Sequence, residues 1–152
     1  MTLFNDIDNT NTELFEIYKM YVETAERVSE KRGNTNNFFL AINMAVVTVI
    51  NINGFDCSNY WWAISFAGIS ISVLWFASIN SYKQLNSGKY KVIEELEGKL
   101  SANVFSYEWE ILGRGKDKTK YCKVSKLEKI IPCLFGIIYI VFAIANLYCL
   151  CT

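Results

Sequence analysis

The chain has 152 residues, enough for one compact domain, and 52% of them are hydrophobic and 15% aromatic, which is more apolar than is usual for a soluble domain. Lysine plus arginine and aspartate plus glutamate are balanced at 15 each, so the charge gives no support to nucleic-acid binding. Histidine is absent, which removes the usual base of a serine or cysteine nucleophile and the common zinc sites. We therefore expect neither an enzyme nor a bound cofactor.

Charged residues are missing from three windows, each more than 20 residues long, that lie between Arg32 and Asp56, between Asp56 and Lys83, and after Lys129. About 20 helical residues cross the hydrocarbon core, which is about 30 Å thick. The windows predict an all-α membrane protein with three transmembrane helices at residues 34–54, 60–82 and 130–152, and an outer turn at 55–59. The alternative is a set of buried helices in a soluble core.

The lysines and arginines set the predicted orientation. Four of the 15 precede the first span and eleven lie between the second and third spans, which leaves none in the outer turn. Positive residues favour the cytoplasmic side, so we expect the N-terminus and the 83–129 segment in the cytoplasm and the C-terminus outside. Cys149, Cys151 and Cys57 would then lie near the outer face, where the sequence leaves their pairing open.

Residues 1–33 are predicted to form a cytoplasmic amphipathic helix, which begins with a capping box at Thr10 and Glu13 and stops at Gly33. Its apolar residues are spaced by four and three positions, which is typical of a seam buried against another helix. The members of this seam are Leu14, Tyr18, Tyr21, Ala25 and Val28. The seam either packs against the same subunit or joins it to a partner subunit in an oligomer.

The 83–129 segment is predicted to contain a break at Ser87 and Gly88, then an amphipathic helix at 90–100. Residues 105–111 alternate as in a strand, but a lone strand has no pairing partner, which favours a short helix or an extended arm. The rest of the segment is basic. We expect anionic lipid headgroups, rather than a nucleotide, to be bound by Arg114, Lys116, Lys118, Lys120, Lys123, Lys126 and Lys129.

The predicted spans contain amides but no carboxylate or lysine. Asn36, Asn43 and Asn51 fall within one sector of the first helix, and Asn146 lies in the third. A polar stripe of this kind faces protein or water rather than lipid. The two interpretations are packing between helices and the lining of a hydrated pore.

Three segments of the chain resemble a known family, namely residues 18–32 (YKMYVETAERVSEKR), 37–43 (NFFLAIN) and 108–116 (EWEILGRGK), the last continuing through Tyr121 and Glu128 to Pro132. The sequence is similar in these segments to the RipA-like small bacterial membrane proteins. The resemblance implies a homo-octamer in the bacterial inner membrane, with no known catalytic residues and an undefined biochemical role.

Two functions are consistent with such an assembly. The first is a structural or interaction complex, whose cytoplasmic part recruits an unidentified protein. The second is a channel or membrane-permeabilising effector with a pore lined by the asparagines of the first span. An enzyme acting on lipid is a third possibility, which only the location and the basic segment favour.

Overall fold

The structure is a computed structural model that describes residues 11–53, 61–116, 119, 121 and 124–151. Within these residues the chain is helical and forms no strand, which confirms the all-α prediction. The elements are α1 (Asn11–Asn53), α2 (Trp61–Glu97), α3 (Val104–Ile111), a 3-10 turn (Gly113–Gly115), α4 (Val124–Glu128) and α5 (Ile130–Cys151).

Two predicted helix boundaries are wrong. Gly33 does not stop α1, and the break expected at Ser87 and Gly88 is absent because α2 continues to Glu97. Neither glycine has the positive φ that a helix-terminating glycine commonly adopts. A glycine inside a helix costs only about 1 kcal/mol relative to alanine, which neighbouring packing overcomes. The expected cap at Thr10 lies outside the described residues.

The ambiguous 105–111 segment is a helix, as expected in preference to a strand. Two of its apolar residues have tertiary contacts, because Phe105 packs edge-on against Tyr90 and Trp109 packs edge-on against Tyr121, whereas Tyr107 and Ile111 are exposed. The 3-10 turn after α3 has positive φ at Gly113, Arg114 and Gly115. The two glycines adopt this conformation readily, and Arg114 adopts it at a conformational cost.

Two of the helices are long and apolar enough to cross a membrane, with the candidate spans in Trp61–Glu97 and Lys126–Cys149. These spans correspond to the second and third predicted crossings. Within the described residues, the part of α1 that belongs to the first predicted crossing, residues 34–53, is not among these candidate spans.

The chain divides into two compact units, and both α1 and α2 contribute to each of them. Unit 1 comprises Met1–Lys31 and Tyr82–Lys123. In this unit, α1 and the end of α2 pack antiparallel, since Lys89 of α2 donates to the Thr24 hydroxyl (3.2 Å) and Asn86 donates to that of Ser29 (3.3 Å). Their apolar contact buries Leu14, Ala25, Ile93 and Leu96.

Unit 2 comprises Arg32–Ser81 and Val124–Thr152, and it brings together parts of α1, α2 and α5. Its buried centre contains Trp75 and Ile79 of α2 and Tyr139 of α5. An ion pair joins Arg32 of α1 to Glu128 at the end of α4 (3.6 Å), and both side chains are mostly buried.

Candidate functional site

The carboxylate of Glu97, at the end of α2, is buried and holds the start of α3. Its Oε1 accepts hydrogen bonds from the Phe105 N–H (2.9 Å) and the Tyr18 hydroxyl (3.1 Å). Its Oε2 accepts from the N–H (3.1 Å) and the hydroxyl (3.3 Å) of Ser106. Asn103, which precedes α3, provides no side-chain cap. Glu97 therefore caps α3 from another helix, where a negative charge also suits the helix dipole.

The Tyr18 hydroxyl ties α1 into the same cluster. Burial, the hydrogen bond to Glu97 and the negative charge of that carboxylate together raise the pKa of Tyr18 from 10.0 to about 12. We refer to Tyr18, Glu97, Phe105 and Ser106 as the Glu97 clasp. The clasp joins α1, α2 and α3 within unit 1.

The predicted seam on α1 has partners within its own chain. Leu14 and Ala25 are buried, and Tyr21 lies under the Lys89 ammonium, which is 5.3 Å from the ring centroid. Tyr18 belongs to the Glu97 clasp, and Val28 is half-buried. The geometry thus matches the first alternative for the seam, packing against the same subunit, and its direct part in an oligomer stays a prediction.

Two of the four predicted amides take part in contacts between the helices of unit 2. The Asn36 Oδ1 accepts a hydrogen bond from the indole N–H of Trp75 (2.9 Å). Trp75 is stacked on Phe39 of α1, with the ring centroids 5.9 Å apart, and it also packs against Phe135 of α5. One tryptophan therefore contacts both of the other helices while its polar atom is satisfied by an amide.

The second interhelical contact joins Asn43 to Tyr139, and both residues are buried. The Tyr139 hydroxyl donates to the Asn43 Oδ1 (3.1 Å), while the Asn43 amide donates to the Phe39 carbonyl one turn earlier (2.8 Å). The ring of Tyr139 lies directly on Gly68 of α2, since a Cβ at that glycine would come within 2.6 Å of it. Gly68 is needed here for the close approach of the ring to the backbone.

The remaining amides differ from these two. The Asn146 side chain is buried, and neither its Oδ1 nor its Nδ2 has a hydrogen-bond partner. The Asn51 side chain lies outside the described part of the structure. Asn36 and Asn43 thus form hydrogen bonds with residues of other helices in unit 2, and the choice between a pore and packing stays a prediction for all four asparagines.

The basic segment is described only in part, because Lys118, Lys120 and Lys123 lie outside the described residues. Arg114 and Lys116 are exposed, and Arg114 lies 3.8 Å from Glu110 in a solvent-exposed ion pair. Lys126 is exposed, whereas the Lys129 ammonium lies over the Phe76 ring, 5.3 Å from its centroid. Headgroup binding by these residues stays a prediction.

Large apolar side chains are exposed on α1, α2 and α5 in the described part of unit 2. Exposed side chains include Phe38 and Met44 on α1, Phe66 and Leu74 on α2, and Ile144 on α5. Ser65 and Ser72 of α2 are instead buried and donate their hydroxyl protons to carbonyls one turn earlier. Polar groups inside and apolar groups outside are typical of a helix bundle in contact with lipid or with other apolar helices.

Two further features bear on the chemistry of the chain. Cys149, near the end of α5, is disulfide-bonded, and its partner is neither Cys133 nor Cys151, which are free thiols. Within the described residues, no group of three or more cysteine or carboxylate side chains is placed to hold a metal ion.

Sequence reasoning missed Glu97, Trp75 and Tyr139. Glu97 could have been found from its position beside Ile93 and Leu96 on the apolar face of the predicted helix. A carboxylate is rarely buried at such a position unless it accepts hydrogen bonds or forms an ion pair. Trp75 and Tyr139 had no comparable signal, because nothing in their spacing identifies the helix that each of them contacts.

These features define the class of the chain, a helical membrane protein in which the described part of unit 2 buries Asn43, Ser65 and Ser72 and exposes large apolar side chains. The chain belongs to the octameric membrane protein family (8xMP), whose family model matches residues 15–148. The family's name describes octameric membrane proteins, which agrees with a membrane location and with the homo-octamer that the RipA-like resemblance implies. No curated protein and no solved structure matches the chain.

Proposed function

We propose that this chain is the subunit of a homo-octameric complex that crosses the membrane three times per subunit and has a structural or interaction role. The observation that carries the first crossing, at residues 34–54, is the hydrogen bonding of its amides. Asn36 and Asn43 lower the hydropathy of the 34–54 segment, yet both are bonded to aromatic residues of the two candidate spans. A bonded and inward-facing amide costs far less in a bilayer than its position on a hydropathy scale implies.

The helix directions in unit 2 fit three crossings. The contacts of α1 with α4 and α5 advance in the same sense along both segments, from Arg32 with Glu128 to Asn43 with Tyr139. The contacts of α2 run in the opposite sense, since Gly68 meets Tyr139 and Trp75 meets Phe135. Two crossings in one direction and one in the other support a topology with the N-terminus and the C-terminus on opposite sides.

The proposed orientation has the N-terminus and unit 1 in the cytoplasm and the C-terminus outside. The asymmetry of the lysines and arginines supports it. The disulfide at Cys149 supports it independently, because disulfides persist on the oxidising, extracytoplasmic side and are rare in the cytosol. The basic residues after α3 then lie on the cytoplasmic side, where they contact anionic headgroups. The RipA-like resemblance adds the bacterial inner membrane as the location.

An interaction role fits the placement of the amides better than a channel does. Asn43 is covered by Tyr139 of the same chain and has no surface to offer to a water-filled pore. The absence of histidine favours a non-enzymatic role. The cytoplasmic unit 1 is the part that would recruit a protein partner.

The proposal is tested first by the mass of the detergent-solubilised particle, measured by light scattering with the detergent contribution removed. Eight chains of 17.5 kDa give about 140 kDa of protein. A monomer or dimer under mild detergent conditions contradicts the octamer. The three crossings are tested with single cysteines that are introduced into the chain and labelled with maleimide in intact cells or spheroplasts. Labelling of a cysteine at position 15 from outside contradicts the proposed orientation.

The channel alternative is tested on the same particle in sealed vesicles. We expect the vesicles to remain tight to small ions. Ion flux that is lost in Asn43→Ala, while the mass of the particle is unchanged, would contradict the interaction role and favour the pore.

A further inference from the structure

The disulfide partner of Cys149 can be identified from the lengths of the elements around it. Cys133 and Cys151 are free thiols, and the chain has five cysteines in all, so the partner is Cys57 or Cys122. Both of these cysteines lie outside the described residues, but each is close in sequence to a described helix, Cys57 to α2 and Cys122 to α4. The reach of the chain from these helices decides between them.

Cys122 is too far from Cys149 to form the bond. The part of α5 from Ile130 to Cys149 spans about 29 Å at 1.5 Å per residue. The chain from Cys122 to Ile130 spans at most about 20 Å, because five of its residues form the helix α4. The two Cα atoms are therefore at least about 8 Å apart even if Lys129, between α4 and α5, is fully extended, and a disulfide requires them within about 7 Å.

Cys57 has the reach that Cys122 lacks. α2 and α5 run in opposite directions in unit 2, and Trp61 at the start of α2 packs edge-on against Phe142 of α5, with the ring centroids 5.6 Å apart. Cys149 lies two turns, about 10 Å, beyond Phe142. Cys57 precedes Trp61 by four residues, a length of chain that spans up to about 14 Å. Cys149 is therefore within range of Cys57.

The same end of α5 contains a polar side chain that does not bind to another helix. Asn146, three residues before Cys149, is 1% exposed, and neither its Oδ1 nor its Nδ2 forms a hydrogen bond. The hydrogen bond of Tyr139 to Asn43, which joins α5 to α1, lies two turns earlier. Apolar helices in a bilayer gain no hydrophobic stabilisation from one another, so other bonds between the helices matter more there than in water. A disulfide at Cys149 provides such a bond at this end.

We propose that Cys57 and Cys149 form a disulfide that joins the connection between α1 and α2 to the end of α5. The bond closes a loop of about 90 residues, and it stabilises unit 2 by restricting the unfolded chain. The pairing follows from the reach of the chain, whereas the source of the oxidant rests on the proposed orientation.

Formation of the bond is a two-electron oxidation, and it defines the class of a transient partner. One thiolate attacks the disulfide of the acceptor and releases one of its sulfurs as a thiol. The second thiolate then displaces the other sulfur from the mixed disulfide, so the two cysteines lose two electrons and two protons and the acceptor leaves as a dithiol. In the proposed orientation both cysteines are extracytoplasmic, and the acceptor is a thiol–disulfide oxidoreductase on that side of the membrane.

The pairing is tested on the full-length chain without any substitution. Intact cells are treated with N-ethylmaleimide to block free thiols, and the purified particle is digested without reduction and analysed by mass spectrometry with fragmentation of the linked peptides. We expect at least tenfold more linkage of Cys57 to Cys149 than of any other pair, with maleimide on Cys122, Cys133 and Cys151. On a non-reducing gel the chain should migrate as a monomer.

Three outcomes overturn the pairing. They are a bond from Cys149 to Cys122 or to another cysteine, maleimide on both Cys57 and Cys149, and a covalent dimer in which the bond joins two copies of the chain.

The role of the bond in stability is tested with serine variants. Cys57→Ser and Cys149→Ser should each lower the thermal midpoint by about 5–15 °C, and the double variant should lose no more than either single variant. A reductant should lower the midpoint of the unmodified protein by the same amount and leave the variants unchanged. Cys133→Ser is the matched control, since Cys133 is a free thiol on the same helix as Cys149. Additive losses in the double variant, or an unmodified protein that is insensitive to the reductant, would count against the bond.

Failure of this inference differs from failure of the proposed function. The mass of the particle and the labelling of a cysteine at position 15 test the octamer and the orientation without reference to the disulfide. An octamer in the proposed orientation that lacks the linked peptide overturns the pairing alone. The linked peptide in a particle that is not an octamer contradicts the proposed function and leaves the pairing intact.

Discussion

Removal of the Glu97 carboxylate should release α3 from unit 1. Glu97→Ala deletes the acceptor of four hydrogen bonds and leaves the N–H groups of Phe105 and Ser106 without a cap. A hydrogen bond to a charged group contributes about 1.5–3 kcal/mol, and the loss of an N-cap costs about 0.5–2 kcal/mol. Because the four bonds share one carboxylate and water can enter after its removal, we expect about 3 kcal/mol in total.

Hydrogen exchange of the solubilised protein measures this change locally. About 3 kcal/mol corresponds to roughly a hundredfold faster exchange in the first turn of α3. Glu97→Gln keeps one acceptor oxygen and should give an intermediate rate. Glu95→Ala is the matched control, since Glu95 is exposed on the same helix. Equal exchange at Phe105 and Ser106 in Glu97→Ala and Glu95→Ala would refute the proposed role of the carboxylate.

Three other predictions concern the helix contacts. Gly68→Ala places a methyl group within 2.6 Å of the Tyr139 ring and should destabilise the particle by about 1–3 kcal/mol in thermal unfolding, whereas Gly33→Ala, with open space around it, should be neutral or stabilising. Asn43→Leu leaves the buried Tyr139 hydroxyl with only a long hydrogen bond to the backbone carbonyl of residue 43 (3.5 Å) and should cost about 1–3 kcal/mol. Adding Tyr139→Phe should recover part of that loss rather than add to it. The pKa of Tyr18 is about 12 in the folded state and 10.0 when the residue is unperturbed, so its contribution to stability is complete below pH 10.0 and is lost as the pH rises to about 12. Tyr18→Phe should therefore weaken the dependence of the thermal midpoint on alkaline pH. An unchanged dependence would contradict this role of the Tyr18 hydroxyl.

The sequence was sufficient for the helical class and for two of the spans because both follow from properties of single segments. Charge-free length identifies the helices that contain Trp75 and Tyr139 without any knowledge of their neighbours. The short helix at α3 was also accessible, because a lone strand in a helical chain has nothing to pair with.

Helix ends and tertiary contacts were less accessible. Glycine commonly ends a helix, but α1 continues through Gly33 and α2 through Gly88. A helix does so wherever the packing on both sides of the glycine outweighs a cost of about 1 kcal/mol. One partner of Glu97 is Tyr18, which lies 79 residues away in the chain, and no local pattern encodes a pairing at that separation. No spacing in the sequence indicates the number eight; the octamer follows only from the RipA-like resemblance, and the name of the matching family agrees with it.

The Glu97 clasp has a consequence for biogenesis. Tyr18 leaves the ribosome long before Glu97, and in the proposed topology both of the first two crossings are synthesised between them. Unit 1 can therefore close only after both of these crossings have been synthesised. A chain that stalls during insertion would keep Leu14 and Ala25 of α1 accessible to cytoplasmic chaperones and proteases, whereas a correctly threaded chain hides them. Closure of the Glu97 clasp thus distinguishes subunits that are ready for assembly from subunits that are still being inserted.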